Sequence, residues 1–282
     1  MKISNTIKSL RSVILKWQRD GMQVGFVPTM GHLHAGHVEL VNQAKLNNDR
    51  VVVSIFVNPL QFNEVNDFEA YPKTLDADQQ QLESVDTDLL FLPNTDVMYA
   101  GNQQMSTKVC VPEITQELEG EFRPGHFDGV STIVNKLFNL VQPQQAFFGE
   151  KDYQQLLLIR KMVKDLNIPV VVKSVATQRE IDGLAMSSRN SRLSKPQREV
   201  APQLYEILEK LSKKIKTDSA LAIDKLEQDA INALRGAGFE PEYVSVRNDL
   251  TLCTAGQEAG NRRVLAAARL GKIRLIDNLK ID

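Results

Sequence analysis

The stretch Arg50 to Val57 constrains the fold most tightly, because from Val51 onward the string VVVSIFV is apolar at every position except Ser54. A strand with one wet face alternates apolar and polar side chains, so an unbroken run suits a strand covered on both faces. Such strands belong to mostly parallel sheets with helices packed on either side. Further short apolar runs, VGFV, DLLFL, QAFFG and PVVVKSV, recur up to about Val175. Helical spacing fills the intervals. Val38, Leu40, Val41 and Ala44 share one face, Ile133 to Val141 is helical, and Asp152 to Leu166 places Leu156, Ile159, Val163 and Leu166 on one side. The predicted first domain, 1–177, is therefore α/β.

Beyond it the texture changes. MSSRN reads as a polar loop, Ser194 and Pro196 open a helix, and Leu204 to Ile215 and Ala220 to Leu234 are charged helical stretches. Three β-prone runs follow near Tyr243 to Val246, Val264 to Ala268 and Ile273 to Ile276. Helices followed by strands predict a smaller α+β domain over 178–282. The basic run Arg262 to Arg274 reads as a solvated sheet face, and the strings Gln79 to Gln81 and Gln142 to Gln145 as solvated helix surface.

Charge narrows the partners. A formal net charge of −1, with 34 Lys plus Arg against 35 Asp plus Glu, gives no general attraction to nucleic acid or to an anionic membrane. No apolar run approaches the roughly 20 residues needed to span a bilayer. Cys110 and Cys253 are far apart and no secretory signal is evident, so the expectation is a cytoplasmic protein with reduced thiols.

The chemistry concentrates in VPTMGHLHAGH, which holds three of the four histidines, His32, His34 and His37. Gly25 to Val27 reads as a short buried strand, Pro28 to Gly36 as a tight turn, and the next residues as a helix. His37 then lies at a helix N-terminus, where unpaired N–H groups and the positive dipole end favour an anion. Imidazoles there can donate to phosphate oxygens. The alternatives are structural capping or a zinc site, for which only His126 remains as a further nitrogen donor. Neither GxGxxG nor a Walker A string is present. Gln61, with Asn58 nearby, follows the end of the VVVSIFV strand, at the edge where open α/β sheets bind ligands; the alternative for both is a loop amide bonded to backbone. Gly149, Glu150, Lys151 and Asp152 follow QAFF at the same edge, with Gln155 one turn further on.

PTMGHLHAGH resembles the HxGH signature of the nucleotidyltransferase and class I aminoacyl-tRNA synthetase superfamily, in the form found in the pantothenate synthetase (pantoate–β-alanine ligase) family. SIFVNPLQF, RPGHFDGV, FFGEKDYQQL, DGLAMSSRNSRLS and RLIDN, in that order, are also similar to that family, so the resemblance runs along the whole chain. It implies a Rossmann-like catalytic domain with an α+β lid, and a ligase that joins pantoate to β-alanine with ATP as co-substrate and Mg²⁺ as cofactor. The carboxylate would attack the α-phosphorus to give pantoyl adenylate and pyrophosphate, and the amine would then displace AMP. A homodimer is also implied.

By the same resemblance, His34 and His37 hold the ATP phosphates, with His37 as the proton donor, and Lys151 is the main transition-state cation. Met30, Gly31, His32, Leu33, Ala35 and Gly36 would line the ATP site, His32 without a catalytic task. Gly149, Glu150 and Asp152 would continue it, and Gln178 would read adenine through its backbone. Met186, Ser187, Ser188 and Arg189 match the family's phosphate clamp. Gln61 and Gln155 would bind pantoate, and Gln61 β-alanine in turn. Arg123 and His126 would order the wall of the site or meet a partner subunit, and Ile133 with Val134 would pack the pantoate methyls. A rival enzyme would transfer AMP to a phosphate acceptor, but it has no evident use for the two glutamines. A nucleotide sensor would not need Lys151 and both histidines.

Overall fold

The computed structural model describes residues 1–63, 68–69, 71–100, 106–217, 222–254 and 261–281. The chain divides into two compact units: Met1–Glu150 with Leu158–Ala176, and Lys151–Leu157 with Thr177–Asp282.

The first unit is built on six parallel strands: β1 (Lys2–Ser4), β2 (Val24–Thr29), β3 (Arg50–Ile55), β4 (Leu89–Phe91), β5 (Gln145–Gly149) and β6 (Val171–Val175). Their order is β1-β4-β3-β2-β5-β6. Along β3, Val51 and Val53 pack in one core cluster with α2 (Ala35–Asn47) through Leu40, Val41 and Ala44, while Val52 on the opposite face is equally buried. The doubly covered strand is thus observed. Other helices of this unit are α1 (Ile7–Arg19), α3 (Leu75–Ser84), α4 (Thr95–Tyr99), α5 (Glu119–Phe122) and α6 (His126–Val141). In α1, Leu10, Ile14 and Trp17 recur at three- and four-residue spacing and bury one stripe.

Several boundaries differ from the pattern. Pro28 belongs to β2, opposite Ser54, and does not begin the turn. Proline can occupy an interior strand here because β2 pairs with β5 only at Gly25 and Phe26, so no neighbour requires an N–H from Pro28 on that side. β3 stops at Ile55, where the Phe56 N–H turns back to Thr29. The three-residue β1 is too short to carry a readable period.

Sheet order places the ligand edge. From β2 the chain runs outward on one side through β3 and β4, and β5 then begins the other side, so β2 and β5 flank a topological switch point. Open α/β sheets bind ligands outside the carboxyl ends of such strands. Here those ends lead into the HxGH loop and Gly149.

The second unit pairs β7 (Glu240–Asn248), β8 (Arg262–Leu270) and β9 (Ile273–Ile281) antiparallel, with β8 central. It includes helices Lys195–Val200, Gln203–Thr217 and Ile223–Gly236. Ser194 caps the first of these through the Gln197 N–H, while Gln197 returns a bond to the Ser194 N–H. Its core joins Leu204, Leu208, Leu211 and Ile215 to Val264, Ala266 and Ala268 of β8.

The basic run of β8 and β9 is not a solvated face. Arg262 and Arg263 are buried, and Arg269 and Arg274 both pair with Glu242. Asp249 opposite Arg263, and Glu242 opposite Arg269 and Arg274, let these three guanidinium groups lie on the sheet, which a charge count along one strand cannot reveal. The glutamine strings are likewise not mere surface: the Gln144 side chain accepts the Val24 N–H, and Gln81 donates to the Leu33 carbonyl.

Candidate active site

The HxGH loop leaves β2 at Met30 and enters α2 at Ala35. Two successive left-handed residues, Gly31 (φ 80°) and His32 (φ 49°), turn it. A Cβ on Gly31 would meet Asp78 Oδ2 at 3.0 Å and Ile55 Cγ2 at 3.1 Å, which explains glycine there. The strained His32 conformation is held by Asp78. One carboxylate oxygen of Asp78 accepts the His32 N–H (2.9 Å) and the other the Leu33 N–H (2.8 Å). Asp78 is 2% exposed, so these bonds compensate a charge taken out of water. The His32 ring rests on the Thr74 hydroxyl at 3.1 Å. Asp78 and Gln81 were missed by sequence reasoning. They lie on α3, more than 40 residues from the loop, and no local pattern links them to it.

His34 is the N-cap of α2. Its Nδ1 accepts the Gly36 N–H (3.1 Å), and the His37 Nδ1 accepts the His34 N–H (3.3 Å). A backbone N–H only donates, so both Nδ1 atoms are unprotonated and both neutral rings carry hydrogen on Nε2. The rings stand 4.1 Å apart, tilted by 45°. Capping and phosphate binding are therefore compatible in this pair: one nitrogen of each ring serves the backbone, and the other is a donor.

Gln61 ends a 3₁₀ turn, Pro59–Gln61, at the carboxyl edge of β3, and is buried. Its Oε1 accepts from Asn58 Nδ2 (3.2 Å), and its Nε2 contacts Met30 Sδ (2.8 Å). The turn presses on α6. A Cβ on Gly129 would stand 2.3 Å from the Leu60 carbonyl oxygen, so Gly129→Ala must displace turn or helix. We expect it to cost about 1–3 kcal/mol, the scale of overpacking, measured by urea unfolding. His126 donates from Nδ1 to the Gln61 carbonyl (2.7 Å), and Arg123 reaches the same oxygen (3.3 Å) and His126 Nε2 (3.1 Å). These two residues thus fix the backbone of Gln61. Ile133 and Val134 are buried in α6.

Gly149 ends β5, and a Cβ there would meet nothing within 4 Å. Glu150–Asp152 form a 3₁₀ turn leading into the helix Tyr153–Asp165. Within the second unit, Lys151 is pinned by its backbone: its carbonyl accepts from Asn278 Nδ2 at 2.9 Å, while its Nζ lies 3.7 Å from the exposed Asp152 carboxylate. Arg263 bonds the Asn278 and Asp249 side chains and lies 3.6 Å over the Tyr153 ring, whose hydroxyl donates to the Asp249 carbonyl. Gln155 is half-buried on the same first helical turn.

In the same unit, Gln178 to Met186 forms a small hairpin, with Met186 N–H to the Gln178 carbonyl (2.9 Å) and Arg179 opposite Ala185. Arg179 anchors it by a two-pronged bond to the buried Asp277 (2.7 and 2.9 Å). Ser187 caps the 3₁₀ segment Ser188–Arg192 by accepting the Arg189 N–H (3.2 Å). Lys151, Ser187 and Arg189 line one small cavity, of about 10 Å³, with Asp277. The structure thus gathers the proposed residues in two sets, Met30 to His37 with Gln61 in one unit, and Lys151 with the hairpin and Ser187 to Arg189 in the other.

A family model described as pantoate-beta-alanine ligase matches residues 2–280. The chain belongs to the pantoate-beta-alanine ligase family. Relatives named pantothenate synthetase include that of Azotobacter vinelandii, 48% identical over 98% of both chains, and that of a Shewanella strain, 47% identical over the whole of both. A crystal structure of pantothenate synthetase from Thermus thermophilus superposes with a TM-score of 0.92 at 42% identity, covering 100% of this chain and 99% of that one. The pantoate-beta-alanine ligase of Francisella tularensis, complexed with beta-gamma ATP and beta-alanine, gives 0.83 at 37% identity over 99% and 97%. This member of the family is accordingly an enzyme that ligates pantoate and β-alanine, as its sequence resemblance implied.

Proposed function

We propose that this ligase works by adenylation, with its chemistry divided among the residues described above. The pantoate carboxylate attacks the α-phosphorus of ATP, the bond to the β-phosphate oxygen breaks, and pyrophosphate leaves. The β-alanine amine then attacks the activated carbonyl, loses a proton, and AMP departs with the acyl oxygen. Two steps are needed because a carboxylate at neutral pH is a poor acyl donor.

The observation that carries this reading is the capping of α2 by His34 and His37 through their Nδ1 atoms. It turns two Nε2–H donors and a helix N-terminus into a site for phosphate oxygens, where charge grows as pyrophosphate leaves. His37 then acts by donating a hydrogen bond, since a carboxylate nucleophile has no proton to lose. Met30 to Gly36, Gly149 and Glu150 line the ATP site, with open space at Gly149 for close approach. Lys151 supplies positive charge at the α-phosphate, and Ser187, Ser188 and Arg189, beside Met186, hold the outer phosphates. Gln178 meets adenine through its backbone, and Gln61 with Gln155 holds pantoate.

Gln61 serves pantoate and then β-alanine: its oxygen accepts from Asn58 and keeps a second lone pair, and its NH₂ group donates to a hydroxyl or carboxylate. Mg²⁺ would offset negative charge on the ATP phosphates, and the exposed Asp152 carboxylate would hold it; such a role needs only one or two protein carboxylates, and among the described residues no group of three metal-binding side chains occurs. Assembly as a homodimer and a cytoplasmic setting complete the proposal. No helix of the described residues is long and apolar enough to cross a membrane.

The test is isotope exchange between pyrophosphate and ATP with pantoate as the sole acceptor, followed by β-alanine-dependent release of AMP. Exchange that needs pantoate but not β-alanine is the expected result. Folded protein showing exchange only with a phosphate acceptor would overturn the proposal in favour of a nucleotidyltransferase.

A further inference from the structure

Asn58 is 1% exposed, and both ends of its side-chain amide are hydrogen-bonded. Its Oδ1 accepts the Leu60 N–H (3.3 Å) and the Tyr99 hydroxyl (2.7 Å); its Nδ2 donates to the Gly129 carbonyl (3.0 Å) and to Gln61 Oε1 (3.2 Å). Two of these partners have a fixed sense. Leu60 N–H can only donate and the Gly129 carbonyl can only accept, so the orientation of the Asn58 amide is determined. The other two partners inherit it. Tyr99 must donate, and Gln61 must receive with its oxygen and turn its NH₂ group the other way.

Tyr99 is suited to that role. It ends α4, whose N-cap Asn94 accepts the Val97 N–H, and is 3% exposed with its ring near Phe56. Burial pushes its phenol above the ordinary tyrosine range, so the hydroxyl keeps its proton throughout the working pH. The proposed reaction does not use it directly, and hydrogen bonds link it to Gln61 through Asn58.

We propose that Tyr99 is a positioning residue for pantoate: by donating to Asn58 Oδ1 its hydroxyl reinforces the amide sense set by the Leu60 N–H and the Gly129 carbonyl, and so helps keep the Gln61 amide turned for the ligand to meet N–H donors. This rests on Gln61 binding pantoate. One Gln61 N–H faces the Met30 sulfur, a weak acceptor, and the second is available to a hydroxyl or carboxylate. A flipped amide would offer an oxygen to the carboxylate, and two acceptors repel.

Three variants test this in the pantoate-dependent exchange assay, with KM for pantoate and for ATP, kcat and Tm measured for each. Gln61→Ala tests the underlying reading, and its pantoate KM is expected to rise at least tenfold. Tyr99→Phe removes only the hydroxyl and is expected to raise pantoate KM about three- to tenfold, the scale of one hydrogen bond, with ATP KM and kcat within twofold. Asn58→Asp keeps the acceptor for Tyr99 and Leu60 but cannot donate to Gln61, so its pantoate KM should exceed that of Tyr99→Phe. If Gln61→Ala leaves pantoate KM unchanged, the Gln61 assignment itself falls. If Gln61→Ala is impaired while either other variant keeps the wild-type pantoate KM, the positioning role falls alone. Equal rises in the KM for ATP and for pantoate, with a lowered Tm, would show a structural role instead and overturn the proposal.

Discussion

Replacing Lys151 by alanine is expected to cut pantoate-dependent pyrophosphate–ATP exchange at least about a hundredfold, the loss seen when a transition-state donor is removed. The fold should be nearly untouched. Lys151 is tied to the second unit through its backbone carbonyl, which accepts from Asn278, and alanine retains that carbonyl. Its side-chain pair with Asp152, at 3.7 Å, involves a half-exposed carboxylate and contributes little. Activity and stability should therefore separate: exchange collapses while Tm stays within about 2 °C, a shift below 1 kcal/mol in a chain of this size. Lys151→Arg keeps the charge but spreads it over a planar fork, and is expected to recover only part of the rate. Near-normal exchange in Lys151→Ala would remove this residue from the chemistry.

His34 offers a second large effect, and one that divides into parts. His34→Ala removes both the cap on the Gly36 N–H and the Nε2 donor proposed for phosphate. It is expected to cost about 1 kcal/mol of stability, as N-cap losses do, and at least about a hundredfold in adenylation. His34→Asn separates the two, because asparagine is among the best N-caps yet is too short to reach where Nε2 lies. Unfolding of the asparagine variant should match wild type while its exchange remains as poor as that of the alanine variant. An asparagine variant with wild-type exchange would reduce His34 to a cap.

The sequence was most legible where one residue type could serve only one local purpose. The run VVVSIFV announced a doubly buried strand because no alternation interrupts it, and Val51, Val52 and Val53 are buried accordingly. Ser194 and Pro196 marked a helix start that the structure reproduces with a capping box. The histidine string located the turn from β2 into α2, where His34 is the N-cap. Boundaries were less legible. Pro28 looked like the start of a turn because proline is excluded from paired strand interiors, and only the early separation of β2 from β5 removes that exclusion.

Long-range polar pairing was not legible at all. Asp78 holds the HxGH loop from another helix, Asp277 holds the hairpin of Gln178 to Met186 from the last strand, and Glu242 pairs with both Arg269 and Arg274, which read as solvated. RLIDN gained a physical meaning only in three dimensions, as Asp277 for Arg179 and Asn278 for the Lys151 carbonyl.

By itself the sequence determined the kind of layered sheet, the place of the histidine turn at the start of α2 and the family, because each follows from neighbours along the chain or from strings kept in order. Only the tertiary structure decided the direction of each hydrogen bond: which nitrogen of His34 and His37 carries the proton, and which end of the Gln61 amide faces Asn58. An imidazole or an amide can donate or accept, and the choice lies with backbone groups and carboxylates brought up from elsewhere in the fold.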